Sequence, residues 1–175
     1  LMNMRNSTNG IKMDAMRLIL MKCFLVLLLI LKRRSPIIFV SIELLEIFLT
    51  EADEVLDAVR ENIPLSRHEP QNQEYLIRLR RSFHTLKGSG RMVGLNLFGE
   101  GAWNIEQVMN VWLSETRDGS EALFQLLDYA AGEMRAWVDE LKTRGSSNRN
   151  ADAMIAAAIA VKEGGSFELS EPEPT

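Results

Sequence analysis

The sequence predicts an all-α protein: an antiparallel four-helix bundle with an extra apolar helical segment before it and a short helix after it. Three observations carry this. Apolar residues recur at alternating spacings of three and four from about residue 41 to residue 145, the signature of one helix face. No stretch alternates with period two for long enough to make a strand. Short polar breaks divide the periodic segments, so consecutive helices fold back on one another.

Each element has its own pattern. In the first helix, Leu45, Phe48, Ala52, Val55 and Val59 form the apolar stripe, with Glu51, Glu54 and Asp57 on other faces. Residues 64–70, bounded by Pro64 and Pro70, are expected to form a loop that leaves His68 solvated. The second helix carries Leu76, Leu79, Phe83, Leu86, Gly90 and Val93 and ends at Gly94 and Asn96. The third shows Phe98, Ala102, Ile105, Met109 and Trp112. Residues 116–120 are a turn that supplies an N-cap. The fourth helix presents Leu123, Leu127, Ala130, Met134, Trp137 and Leu141 and stops at Gly145. Trp103, Trp112 and Trp137 are assigned to core or rim packing. The expected organisation is an N-terminal extension over 1–40 and the bundle over 41–145. A linker with a short Ala-rich helix follows over 146–162, then an acidic, Pro-containing tail over 163–175, like an interdomain tether.

The extension stands apart in composition. Residues 16–31 are strongly apolar but include Arg17 and Lys22, and Lys32, Arg33 and Arg34 close the run. The uninterrupted apolar part, residues 23–31, is far shorter than the roughly 20 residues of a spanning helix. No small-x-small cleavage site precedes the basic run. A non-native or upstream helical extension, a membrane-associated segment and a processed leader all stay open, with the first favoured. The chain starts at Leu1, which reads as a piece of something longer or a processed product.

Composition excludes several function classes. The chain has 175 residues, 46% hydrophobic and 25% charged, with a net charge of −4; this is a globular balance without the basic surplus of a nucleic-acid binder. The single cysteine, Cys23, allows no intrachain disulfide and fits a reducing, cytoplasmic setting. No His, Cys and carboxylate spacing suggests a metal, and no glycine-rich phosphate loop or nucleophile triad is present, so neither a metal nor a cofactor is expected.

The chemistry concentrates in residues 80–91, RRSFHTLKGSGR. At about 100° per residue, Arg80, His84, Lys87 and Arg91 share one narrow stripe beside the apolar face. His84 is therefore a flank residue, anchored by Phe83 and open to solvent. Cations around a histidine suit a dianionic phosphoryl group, and Lys87, one turn on, is within reach. An interior helix glycine costs roughly 1 kcal/mol relative to alanine. Gly90 lies on the core face, where it admits a neighbouring helix. Gly88 lies outside, where its bare backbone leaves room for a partner's active site to close over the histidine. In the third helix, Glu106 follows core residue Ile105 as His84 follows Phe83. With the two helices antiparallel, this carboxylate approaches the imidazole, fixes its tautomer and leaves the other nitrogen nucleophilic. Arg80, Arg81 and Arg91 are candidate partner contacts.

Residues 84–90, HTLKGSG, with the following RMVGL and the weaker WNIE at 103–106, resemble the signature of histidine phosphotransfer (HPt) domains. They are most similar to those of chemotaxis-type sensor kinases that control type IV pilus twitching motility. The resemblance spans about residues 44–141. It implies that His84 accepts the phosphoryl group, Lys87 assists it, Gly88 permits regulator docking and Glu106 orients the ring. The implied partners are a histidine kinase ATP-binding domain, which donates, and a response-regulator receiver domain, which accepts on an aspartate and brings its own Mg²⁺. One departure is Trp103, where swimming-chemotaxis kinases usually carry a second histidine. The fragment has no ATP site and is expected to be a carrier, not an enzyme. The alternatives are the dimerisation and phosphoacceptor domain of an orthodox sensor kinase and a helical adaptor without phosphochemistry. In the former, an acidic residue and soon a proline would follow the histidine; here Thr85 follows, and no proline occurs between Pro70 and Pro172.

Overall fold

The computed structural model describes residues 37–169. Residues 1–36 of the expected apolar extension and residues 170–175 of the tail lie outside the described residues. The chain divides between Leu44 and Leu45, and the bundle belongs to the second part. In order, the helices are α1 (Ile37–His68), α2 (Gln73–Met92), α3 (Asn96–Ser114), α4 (Glu121–Arg144) and α5 (Asp152–Lys162). The all-α bundle the periodicity predicts is the fold observed.

The helix ends follow local chemistry. The Asn72 side chain accepts from the Glu74 N–H to cap α2, and Ser120 accepts from Leu123 to cap α4, each satisfying a donor the first turn leaves free. Gly94 (φ 84°) follows α2 and Gly145 (φ 70°) ends α4, left-handed positions that glycine adopts without strain.

The expected loop over residues 64–70 is the one element the structure corrects. α1 runs through Pro64 to His68; the turn begins only after His68, which is exposed. Proline removes one helix hydrogen bond and disfavours the helical conformation of the residue before it. Tertiary anchoring of the last turn outweighs this. Ile63 and Ser66 are buried, and Arg67 pairs with Glu121 (3.3 Å) and Asp128 (3.0 Å) of α4 while its guanidinium lies over Phe124. Near the other end of the same helix pair, Arg135 holds Asp53 (2.8 Å) and Asp57, and Lys142 reaches Asp53. α1 and α4 are therefore antiparallel.

All residues of the apolar stripes predicted for α3 and α4 are buried, as are those of α2 through Gly90. One layer joins all four bundle helices. Phe98 of α3 meets Phe48 of α1 and Trp137 of α4 edge-on, at 5.4 and 5.6 Å, and fills the space beside Gly90 of α2. α3 is buried on more than its core stripe. Gly99 faces Lys87 and Arg91 of α2, while Gly101 faces Ala151 and Met154 beside α5. Small residues on the covered face of α5, Ala157 and Ala158, let it lie close to α3 and α4. The connection into α5 is fastened by Arg149, which pairs with Glu133 and Glu140 of α4 at 3.1 and 3.0 Å. No described helix is long and apolar enough to cross a membrane.

Candidate functional site

Two helix flanks make the site. On α2, Phe83 is fully buried, and the 100° step to the next residue turns His84 out of the core, leaving its side chain 62% exposed. On α3, Ile105 is fully buried, and the same step brings Glu106 to the α2 side, its side chain 5% exposed. The antiparallel pairing is close because Gly99 carries no side chain. A Cβ there would stand 2.7 Å from Arg91 Cγ and 3.2 Å from the Lys87 carbonyl oxygen.

The result is a three-residue cluster. His84 Nδ1 lies 2.8 Å from Glu106 Oε1, and Lys87 Nζ lies 2.8 Å from Glu106 Oε2. Lys87 Nζ is also 3.2 Å from His84 Nδ1, yet that nitrogen cannot both donate to the carboxylate and accept from the ammonium. The shorter, charge-assisted contact decides: Nδ1–H donates to Glu106 and the lysine proton goes to the other carboxylate oxygen. The tautomer is thereby set, with the lone pair on Nε2, the nitrogen away from the carboxylate on a largely exposed ring. Burial pushes the Glu106 carboxyl up, but hydrogen bonds from Lys87 and His84 outweigh it and hold the group below its ordinary value. A buried carboxylate needs such partners. It therefore stays ionised beside the imidazole.

The other candidates are placed as follows. Gly88 is exposed, and a Cβ on it would meet nothing within 4 Å. Gly90 is its opposite, with a Cβ position 2.8 Å from Phe98 Cδ1. Arg91 is engaged by Glu100 at 3.0 Å. Arg80 is half-buried and Arg81 exposed, and neither forms an ion pair among the described residues. Trp112 and Trp137 are buried in the core, whereas Trp103, 38% exposed, lies at its rim. Among the described residues no group of three or more His, Cys, Asp or Glu side chains is placed to hold a metal ion. The sequence reading missed Gly99. Its signal was the pair of glycines in GEG at 99–101 within the start of a helix, where two such residues together ask for close neighbours on two sides.

Comparison with known proteins gives two findings. The family model described as Hpt domain matches residues 43–144. The chain is also 34% identical over 68 residues to the sensor histidine kinase CheAY of Helicobacter pylori, an alignment covering 39% of this chain and 8% of that protein. No solved structure matches.

Proposed function

This chain belongs to the Hpt domain family, a phosphocarrier class of two-component signalling, and from that membership we infer that His84 holds the phosphoryl group in transit from a kinase to a response regulator. The observation that carries the reading is the Glu106 contact. It fixes Nδ1–H and leaves Nε2 as the exposed nucleophile. In the loading step, the Nε2 lone pair attacks the γ-phosphorus of ATP held by a separate kinase domain. The N–P bond forms as the P–O bond to ADP breaks, and positive charge grows on the ring. The ionised Glu106 faces that charge through Nδ1–H and stabilises it. In the unloading step, a receiver aspartate oxygen attacks the phosphorus in line, the N–P bond breaks and its electron pair returns to Nε2.

Lys87 has a more particular role than general phosphate contact. Its ammonium is drawn to Glu106, so it first keeps that carboxylate ionised and in register; the phosphoryl group, on the far ring nitrogen, feels its charge at longer range. The chain spans a small part of the kinase it resembles, which supports its being one module of a larger chemotaxis-type kinase. The test is a chase. A chain loaded on His84 and mixed with a receiver domain should lose label while the receiver aspartate gains it; label that leaves only as inorganic phosphate, with every receiver tried, would contradict the reading.

A further inference from the structure

Trp103 is the most exposed of the three tryptophans and makes no hydrogen bond among the described residues. It is 38% exposed, while Trp112 and Trp137 are 5% and 4% exposed. Trp112 carries the Arg117 guanidinium at 5.0 Å and Trp137 packs on Phe98; among the described residues no ring or guanidinium stacks on Trp103.

The helix register fixes where it stands. Gly99 abuts Lys87 and Arg91, and Glu106 bonds His84 and Lys87. Residue 103 is four after the first and three before the second, so it shares their α2-facing side of α3 and lies between them. That puts it level with Lys87 and Gly88. No heavy atom comes within 4 Å of a Cβ position on Gly88, so the indole does not fill that space. An open site, one turn from the phosphoacceptor, is thus flanked by a large exposed aromatic. Elsewhere α3 is covered, by α2 at Gly99 and by Ala151 and Met154 at Gly101. Away from its ends, α3 leaves Glu100, Trp103, Asn104, Gln107, Asn110 and Val111 at least part-exposed, Trp103 the most open of them, and Arg91 pairs with Glu100. A nearly uncharged strip with one tryptophan in it is the composition of an interface anchor.

Resting on the phosphocarrier reading, we propose that Trp103 is the specificity-determining anchor for the receiver domain, which docks over the α2–α3 flank and seats a surface element between the indole and Gly88. The receiver is the occupant because it must bring a carboxylate to the exposed Nε2, and so must close over this side of the ring.

The test uses the full chain, loaded on His84 with phosphoramidate so that no kinase is needed, and the receiver domains of the source organism, purified singly. With the receiver that discharges the parent fastest, Trp103→Ala should lower transfer about tenfold or more at sub-saturating receiver, the scale of losing a buried aromatic anchor. Saturating receiver should restore it. Trp103→Phe should retain most of the transfer. The emission change produced by the unphosphorylated receiver should be present in the parent and absent in Trp103→Phe. Loading from a kinase domain should match the parent in both variants. Unchanged transfer and emission in Trp103→Ala, or slowed kinase loading with normal transfer, would overturn the assignment, the second by giving the surface to the kinase. A parent that takes no label on His84 would instead defeat the phosphocarrier reading, while the emission titration would still decide whether a receiver docks at Trp103.

Discussion

Two glycines two residues apart on α2 should respond differently to alanine. At Gly88 the added methyl meets no atom within 4 Å. The substitution then gains only the helix propensity that glycine forgoes, roughly 1 kcal/mol, much of it by narrowing the unfolded ensemble. At Gly90 the same methyl lands 2.8 Å from Phe98 Cδ1. Phe98 cannot easily yield, because it is fully buried and wedged edge-on between Phe48 and Trp137. Overpacking of this kind costs about 1–3 kcal/mol, which exceeds or cancels the propensity gain. Urea denaturation of the two variants should therefore place Gly88→Ala above the parent and at or below it Gly90→Ala, about 1–3 kcal/mol apart. Gly88→Gln should fold as well as the parent yet lose most of the transfer from His84 to a receiver. A destabilised Gly88→Ala would refute the open environment of residue 88, and full transfer by a folded Gly88→Gln would move the docking surface elsewhere.

Glu106→Ala and Lys87→Ala should each slow loading of His84 without abolishing it, by up to about 10²-fold, in a kinase time course; parent rates in both would remove the cluster from the mechanism. The depressed Glu106 carboxyl also predicts a pH dependence. Its folded value lies below the unfolded one, so its stabilisation is complete above the ordinary 4.5 and is lost as pH falls through the folded value. The stability gap between the parent and Glu106→Gln, from denaturation at a series of pH values, should be constant near neutrality and narrow below about 4.5. Removing α5 by ending the chain at residue 145 should destabilise the bundle by at least about 2 kcal/mol, since Met154 and Val161 alone bury that much apolar surface; an equally stable truncation would mean that α5 is only an appendage.

Much of the fold was legible because it rests on periodicity. The stripes of α2, α3 and α4 appear in the sequence and in the core because a soluble helix has one dry face. The rest depends on contacts between segments distant in the chain. α1 passes Pro64 because Arg67 is held by residues more than fifty positions away, and local propensity carries no trace of that. The site was legible where a single helix determines it, as with the exposed flank of His84. It was also legible in the parallel between Phe83–His84 and Ile105–Glu106, which only needed the helices to be antiparallel. Two features were not. The burial of α3 on three sides requires knowing where α5 lies, and the exposure of Trp103 follows from that arrangement, whereas a tryptophan in an amphipathic helix reads by default as packing.

The central claim is that one histidine, His84, carries the phosphoryl group. Incubating the parent, His84→Gln and His68→Gln with labelled ATP and a chemotaxis-type kinase catalytic domain tests it most directly. The account predicts label in the parent and in His68→Gln, labile to acid and stable to alkali as a phosphoramidate is, and none in His84→Gln although that variant folds. Label retained by folded His84→Gln would contradict it.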